Sequence, residues 1–305
     1  MASPPSSGSM PNRFSALNCA RESTTSAPLY PSPHLHTLTI ASPSDDFTSP
    51  VDDFTSEDDS MVNTYTFSFA YIIGLLHLTP NLVECTFYSI SMYPPATVPP
   101  PLVLPHLRYL KFVGAEVTNV SDHVLNHLSL PALETLDNPL SYYHDHNGPS
   151  VNEFSRFLRR SSPPLQRLSL GRRFVNVPFP QLEAWLRLVP SVIDLELYTA
   201  KSIFAADLFS ALAESPPDLL PNLQSLRIRH HWPIHRWPAP GISAYPALLR
   251  TLSVRSAQIV CFHLRFRSAA DKPDPDVCDG LRQLAADGMD IYIGSADYEQ
   301  NYISL

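Results

Sequence analysis

An eight-residue pattern, Pro-x-apolar-x-x-apolar-x-apolar, recurs along the chain. It reads PHLHTLTI from Pro33, PNLVECTF from Pro80, PHLRYLKF from Pro105 and PALETLDN from Pro131. It returns as PPLQRLSL from Pro163, PSVIDLEL from Pro190 and PNLQSLRI from Pro221, and as PALLRTLSV from Pro246 with one extra residue. The last two apolar positions of each copy alternate with polar ones, the pattern of a half-buried strand. Proline is expected at the first strand position, where it costs little. Apart from a 47-residue first interval, copies follow one another at about 25–33 residues, enough for a crossover and for parallel pairing of successive strands. Met289–Ile293 alternates as a ninth strand.

The connections carry a different period. Asn63–Leu78 is apolar and bulky. Val120–Leu128, Val151–Leu158, Leu182–Val189 and Phe204–Ala213 place apolar residues three or four apart, which predicts helices. A last helix is expected from Asp274-Pro275, a cap followed by proline at the first helical position, to Gly288 just past its end. Ser91–Leu104 and His230–Tyr245 hold too many prolines for helices and are expected to be extended or looped. An L-x-x-L-x-L core at this period is the leucine-rich-repeat signature. The expected fold is therefore α/β: an irregular leucine-rich-repeat solenoid over residues 28–305, with a parallel concave sheet and helices or loops on the convex side. The asparagine ladder of regular repeats is missing; the equivalent positions include Pro43, Ile90, Ala115, Ala200 and Ala257.

Composition changes the picture in three places. Proline (32) far outnumbers glycine (9), yet 44% of the 305 residues are hydrophobic, so proline punctuates a folded object. The net charge is -8, but residues 45–59 alone hold seven acids and no base, so the remainder is nearly neutral. Residues 1–27 read as a disordered Ser/Pro-rich tail, and 41–60 as an acidic disordered insertion that lengthens the first interval. That insertion repeats itself, Asp45–Ser49 and Asp52–Ser56, and is a candidate phosphorylation segment. With no global basic field and no long apolar run, neither nucleic acid nor a membrane is expected as partner. Four scattered cysteines give no disulfide framework, and an intracellular (cytoplasmic or nuclear) location is expected.

FLRRSSPPLQRLSL, LVPSVIDLEL, LLPNLQSLRI and GLRQLAADGMDIYIG together resemble the F-box/leucine-rich-repeat proteins of mushroom-forming fungi, whose repeats are ribonuclease-inhibitor-like. The resemblance covers about residues 28–294. It implies the substrate-recognition half of a cullin-RING ubiquitin ligase receptor. Residues 1–32 lack the leucine-proline entry and three apolar helices of an F-box, so a ligase adaptor is implied only if an F-box is supplied. A structural or scaffold repeat protein is the alternative.

In either case the expected function is non-catalytic protein recognition. The polar positions flanking the strand leucines would form the binding surface, and Tyr and Arg are frequent anchors there. These are Glu84, Tyr88, Tyr109, Lys111, Arg167, Asp194, Glu196, Tyr198, Arg227, Arg229 and Arg255. No metal or cofactor is expected. The clusters His230–His235 and His144–His146 lack close zinc spacing, no P-loop or G-x-G-x-x-G occurs, and Gly241–Tyr245 lacks the second glycine of G-x-S-x-G.

Overall fold

The structure, a computed structural model, describes residues 34–41, 66–88, 91–93, 100–113, 124–138, 151–171, 177–199, 202–214, 218–230, 244–266, 273–295 and 300–303. The tail, the acidic insertion beyond Ala41, the 144–146 and 231–235 histidines and residues 241–243 lie outside these residues. What is described is a mixed α/β structure built on one large sheet.

Nine strands of that sheet are parallel and follow one another in chain order: β1 (Thr37–Ala41), β3 (Glu84–Tyr88), β6 (Tyr109–Val113), β8 (Thr135–Asn138), β9 (Arg167–Leu170), β10 (Asp194–Thr199), β11 (Ser225–His230), β12 (Cys261–Phe266) and β13 (Asp290–Ser295). A short antiparallel strand, β14 (Gln300–Asn301), joins the β13 edge, and the sheet does not close into a barrel. Two small parallel pairs flank it, β2 (Thr66–Ser68) with β4 (Ser91–Tyr93), and β5 (Leu102–Val103) with β7 (Leu128–Ser129). Six helices lie between strands: α1 (Phe69–His77), α2 (Val151–Ser161), α3 (Phe179–Leu186), α4 (Ser202–Glu214), α5 (Tyr245–Val254) and α6 (Pro275–Ala286), with a further helical turn at 124–127.

Alternation decides which face is buried. Leu38, Cys85, Leu110, Leu136, Leu168, Leu195, Leu226, Phe262 and Ile291 occupy one row across the sheet, and all are buried. They share one core with Ile72 and Leu76 of α1, Phe157 of α2, Trp185 of α3, Leu208 and Leu212 of α4 and Leu248 and Leu252 of α5. The helices thus cover the leucine face, and the polar positions between the leucines face away from them.

The register is fixed by a backbone device repeated from strand to strand. One carbonyl just before each strand accepts the N–H groups of two consecutive residues of the next. His36 O receives Val83 and Glu84; Arg108 O receives Glu134 and Thr135; Gln166 O receives Ile193 and Asp194; Gln224 O receives Val260 and Cys261.

The prolines are not the first strand residues that the pattern suggested. Pro80, Pro105, Pro131, Pro190 and Pro221 each sit at the second position of a turn. The bonds Leu82 N–H to Thr79 O, Leu107 to Leu104, Leu133 to Leu130, Val192 to Val189 and Leu223 to Leu220 close these turns. Proline's fixed φ suits that position, and no N–H is needed from it there.

The copy from Pro246 is a larger departure. PALLRTLSV forms α5, not a strand, with proline in its first turn and Leu248, Thr251 and Leu252 buried at helical spacing. The extra residue converts L-x-x-L-x-L into a three-four spacing of good helix formers. The strand of this repeat is β12, CFHLRF, whose alternation the proline-led pattern does not mark. Arg255, expected on the polar sheet face, instead follows α5 and is 2% exposed.

The end of α6 behaves as the sequence suggests. Met289 N–H reaches Leu284 O and Gly288 N–H reaches Ala285 O, the paired bonds of a Schellman ending, with Gly288 at φ 106°. A Cβ at Gly288 would meet no atom within 4 Å, so the whole cost of substitution is backbone strain. Gly288→Ala is expected to lower stability by about 1–2 kcal/mol in chemical denaturation, with an unchanged m-value.

Candidate functional site

The polar sheet face is a grid set by the register. One row runs Thr37, Glu84, Tyr109, Thr135, Arg167, Asp194, Ser225, Cys261, Asp290. Two residues further along each strand the row runs Thr39, Thr86, Lys111, Asp137, Ser169, Glu196, Arg227, His263, Tyr292. Beyond it stand Tyr88, Tyr198, Arg229 and Arg265. Ten of the eleven residues picked from sequence therefore share this face. The exception is Arg255, which lies on the helix side of the core.

Opposite charges on neighbouring strands link the grid. Lys111 Nζ lies 3.3 Å from Asp137. Arg227 Nη1 donates to both carboxylate oxygens of Asp194, at 3.1 and 2.9 Å. Arg229 Nε is 2.6 Å from Glu196 Oε1, and its guanidinium lies 5.6 Å from the centre of the Tyr198 ring. His263 Nε2 is 3.0 Å from Asp290 Oδ2, and Arg265 stands over the Tyr292 ring at 5.3 Å. These groups are partly exposed, so each pair adds little stability alone; their larger effect is to fix side-chain positions before any partner arrives.

Asp137, Asp194 and Glu196 fall on β8 and β10 with Arg167 between them on β9, while Arg227, Arg229 and Arg265 cluster on β11 and β12. Two shallow depressions lie on this part of the face, the first of mixed charge and the second basic. One, of about 190 Å³, is lined by Thr135, Asp137, Arg167, Asp194, Glu196 and Arg227 among others. The other, of about 230 Å³, is lined by Arg227, Arg229, His263 and Arg265. Burial, reinforced by the neighbouring Glu196 carboxylate, pushes the Tyr198 hydroxyl well above the ordinary tyrosine range, so it stays protonated at neutral pH. Burial likewise raises the Cys261 thiol.

The residues of the face that the sequence reading did not pick include Asp137, Cys261, His263, Arg265, Asp290 and Tyr292. For β12 the signal was the alternation of CFHLRF, which the proline-led pattern does not mark because the strand follows no Pro-x-Leu turn; Asp137, Asp290 and Tyr292 stand on strands that alternation marks. Compared with known proteins, the chain matches no family model, and no curated protein matches it. Among the described residues no helix is long and apolar enough to cross a membrane.

Proposed function

We propose that this chain is a non-catalytic protein-recognition module, a leucine-rich-repeat solenoid whose polar sheet face is its concave binding surface. The observation that carries the reading is the grid itself. Tyr198, Arg227, Arg229, Arg265 and Tyr292 stand on adjacent strands, held by their own ion pairs and ring contacts. Pre-positioned Tyr and Arg side chains are the commonest anchors of protein interfaces. The cluster of Arg227, Arg229 and Arg265 beside a mixed-charge stretch suits a partner that carries acidic groups at that end, which steers encounter and fixes orientation. By its resemblance to F-box/leucine-rich-repeat proteins, the partner would be a ubiquitin-ligase substrate.

The test is quantitative affinity purification of the tagged chain from its native cells. Three baits are compared: wild type, Tyr198→Ala/Arg229→Glu on the sheet face, and Arg282→Glu on the exposed side of α6. The reading expects partners shared by wild type and Arg282→Glu and depleted at least about 30-fold by the double change, the loss of roughly 2 kcal/mol typical of an anchor. Partners retained by the double variant would overturn the assignment of the face. Recovery of a ligase adaptor and cullin supports the receptor role; reproducible face-dependent partners without them place the chain as a scaffold.

A further inference from the structure

At the β12–β13 end of the polar face, three different metal-binding groups converge. Cys261 and His263 are two apart on β12 and so point the same way, and Asp290, the first residue of β13, lies directly across from Cys261. Cys261 Sγ is 3.6 Å from Asp290 Oδ2, and His263 Nε2 is 3.0 Å from the same oxygen. One donor atom from each residue lies within 4.8 Å of the other two.

We propose that Cys261, His263 and Asp290 form a three-ligand zinc site with an open fourth position. Zinc bonds of about 2.3 Å to sulfur and 2.0–2.2 Å to nitrogen or oxygen place tetrahedral ligands roughly 3.3–3.7 Å apart. Of the two distances to Asp290 Oδ2, 3.6 Å falls within that spacing and 3.0 Å just below it, so the triad would need only small side-chain adjustments. A thiolate with an imidazole selects zinc over calcium or magnesium, which favour all-oxygen sites. A thiolate and a carboxylate together neutralise the ion.

The surroundings fit. Cys261 and His263 are half-buried and Asp290 is exposed, so an ion has a path in, and the fourth position is left to water or to a partner's side chain. Ser225 faces Cys261 across the β11–β12 pair, and its buried hydroxyl is placed to donate to the Cys261 sulfur. That hydrogen bond would be an outer-shell contact of the kind typical of metal sites. The Tyr292 ring meets the His263 ring edge-on at 5.9 Å and limits its rotation. Arg227 opposes an incoming cation, but its guanidinium is held by Asp194 on its other side.

The experiment uses the full, untagged chain stripped of metal by chelation and titrated with Co2+, then with Zn2+. One equivalent of Co2+ should give a thiolate-to-cobalt charge-transfer band and tetrahedral visible bands, both displaced by Zn2+. Cys261→Ala should abolish the charge-transfer band. His263→Ala and Asp290→Asn should each weaken zinc binding by more than the roughly 10–100-fold expected of the outer-shell change Ser225→Ala. All four changes lie on the solvent-facing side of the sheet, and far-UV circular dichroism checks that each variant folds. No thiolate band in the wild type, or a band that survives Cys261→Ala, overturns the proposal, the latter by placing the metal on Cys19, Cys85 or Cys278.

Discussion

Arg255→Ala is expected to destabilise the protein by about 3–4 kcal/mol, read as a fall in the urea midpoint at constant m-value. Arg255 is 2% exposed, and among the described residues its guanidinium donates to three backbone carbonyls. Nε donates to Leu212 O at 2.8 Å, Nη2 to Leu219 O at 2.7 Å and Nη1 to Leu220 O at 3.1 Å. Leu212 lies in the last turn of α4, where carbonyls lack helical donors and a cation is favoured. Leu220 sits at φ 52°, a strained value for leucine, at the start of the Pro221 turn that leads into β11. One side chain therefore caps a helix and holds a strained turn in the preceding repeat. Its removal takes the side-chain donor from the carbonyls of Leu212 and Leu219, each worth about 1–3 kcal/mol unpaired, less what water entering the vacated space returns, while Leu220 O keeps the Leu223 N–H and Gln258 Nε2. Arg255→Lys keeps the charge but not the planar fork, and should lose roughly half as much. A loss below about 0.5 kcal/mol for Arg255→Ala would instead fit an exposed strand position, the placement the repeat pattern suggested.

Phe262→Ala should cost a comparable or larger amount, about 3–5 kcal/mol, while Arg265→Ala three residues along the same strand should cost no more than about 0.5 kcal/mol. Phe262 is fully buried and meets Phe209 of α4 edge-on, with ring centres 6.0 Å apart. Arg265 is exposed on the opposite face. The contrast tests the register of β12 directly, because a one-residue slip exchanges the two faces. Equal costs for the two substitutions would exclude that register. Paired thermal melts provide a second readout, with Phe262→Ala lowering Tm by roughly 10 °C for a domain of this size.

Arg160 shows that the Arg255 device is not isolated. Near the end of α2, it donates from Nη2 to Leu125 O at 2.8 Å and Leu128 O at 2.6 Å, and from Nε to Leu128 O at 3.1 Å. Polar side chains make similar links elsewhere. Trp185 Nε1 donates to Ser155 Oγ at 2.7 Å, Ser191 Oγ to Leu165 O at 2.8 Å and Thr251 Oγ1 to Phe209 O at 2.6 Å. Each runs from one repeat to its predecessor. Spacing does not reveal these links, because the acceptors, a serine hydroxyl and two backbone carbonyls, lie 26–42 residues upstream.

The periodic elements were legible because a local rule fixes them. Leucines two apart on a strand must share a face, so the eight Pro-led copies marked seven of the nine parallel strands, and ten of the eleven candidate residues fell on the polar side without knowledge of the fold. Glycine past α6 was legible for a similar reason: only a residue tolerant of positive φ ends a helix that way. PALLRTLSV was misread because its leucines satisfy both a strand pattern and a helical one. Position within the stack settled it. The residues after α5 include CFHLRF, which pairs with β11 over six residues and buries Phe262 and Leu264, and the segment before it is left to pack as a helix against α4.

The sequence by itself thus determined the repeat, the order and parallel direction of most strands, and which side chains of each strand stand in water. Those follow from periodicity, which acts over a few residues. Only the tertiary structure decided which charges pair across strands, that Arg255 belongs to the core, and that Cys261, His263 and Asp290 meet. Those depend on register between segments some thirty residues apart, and register comes from packing and from backbone bonds that leave no mark in composition or spacing.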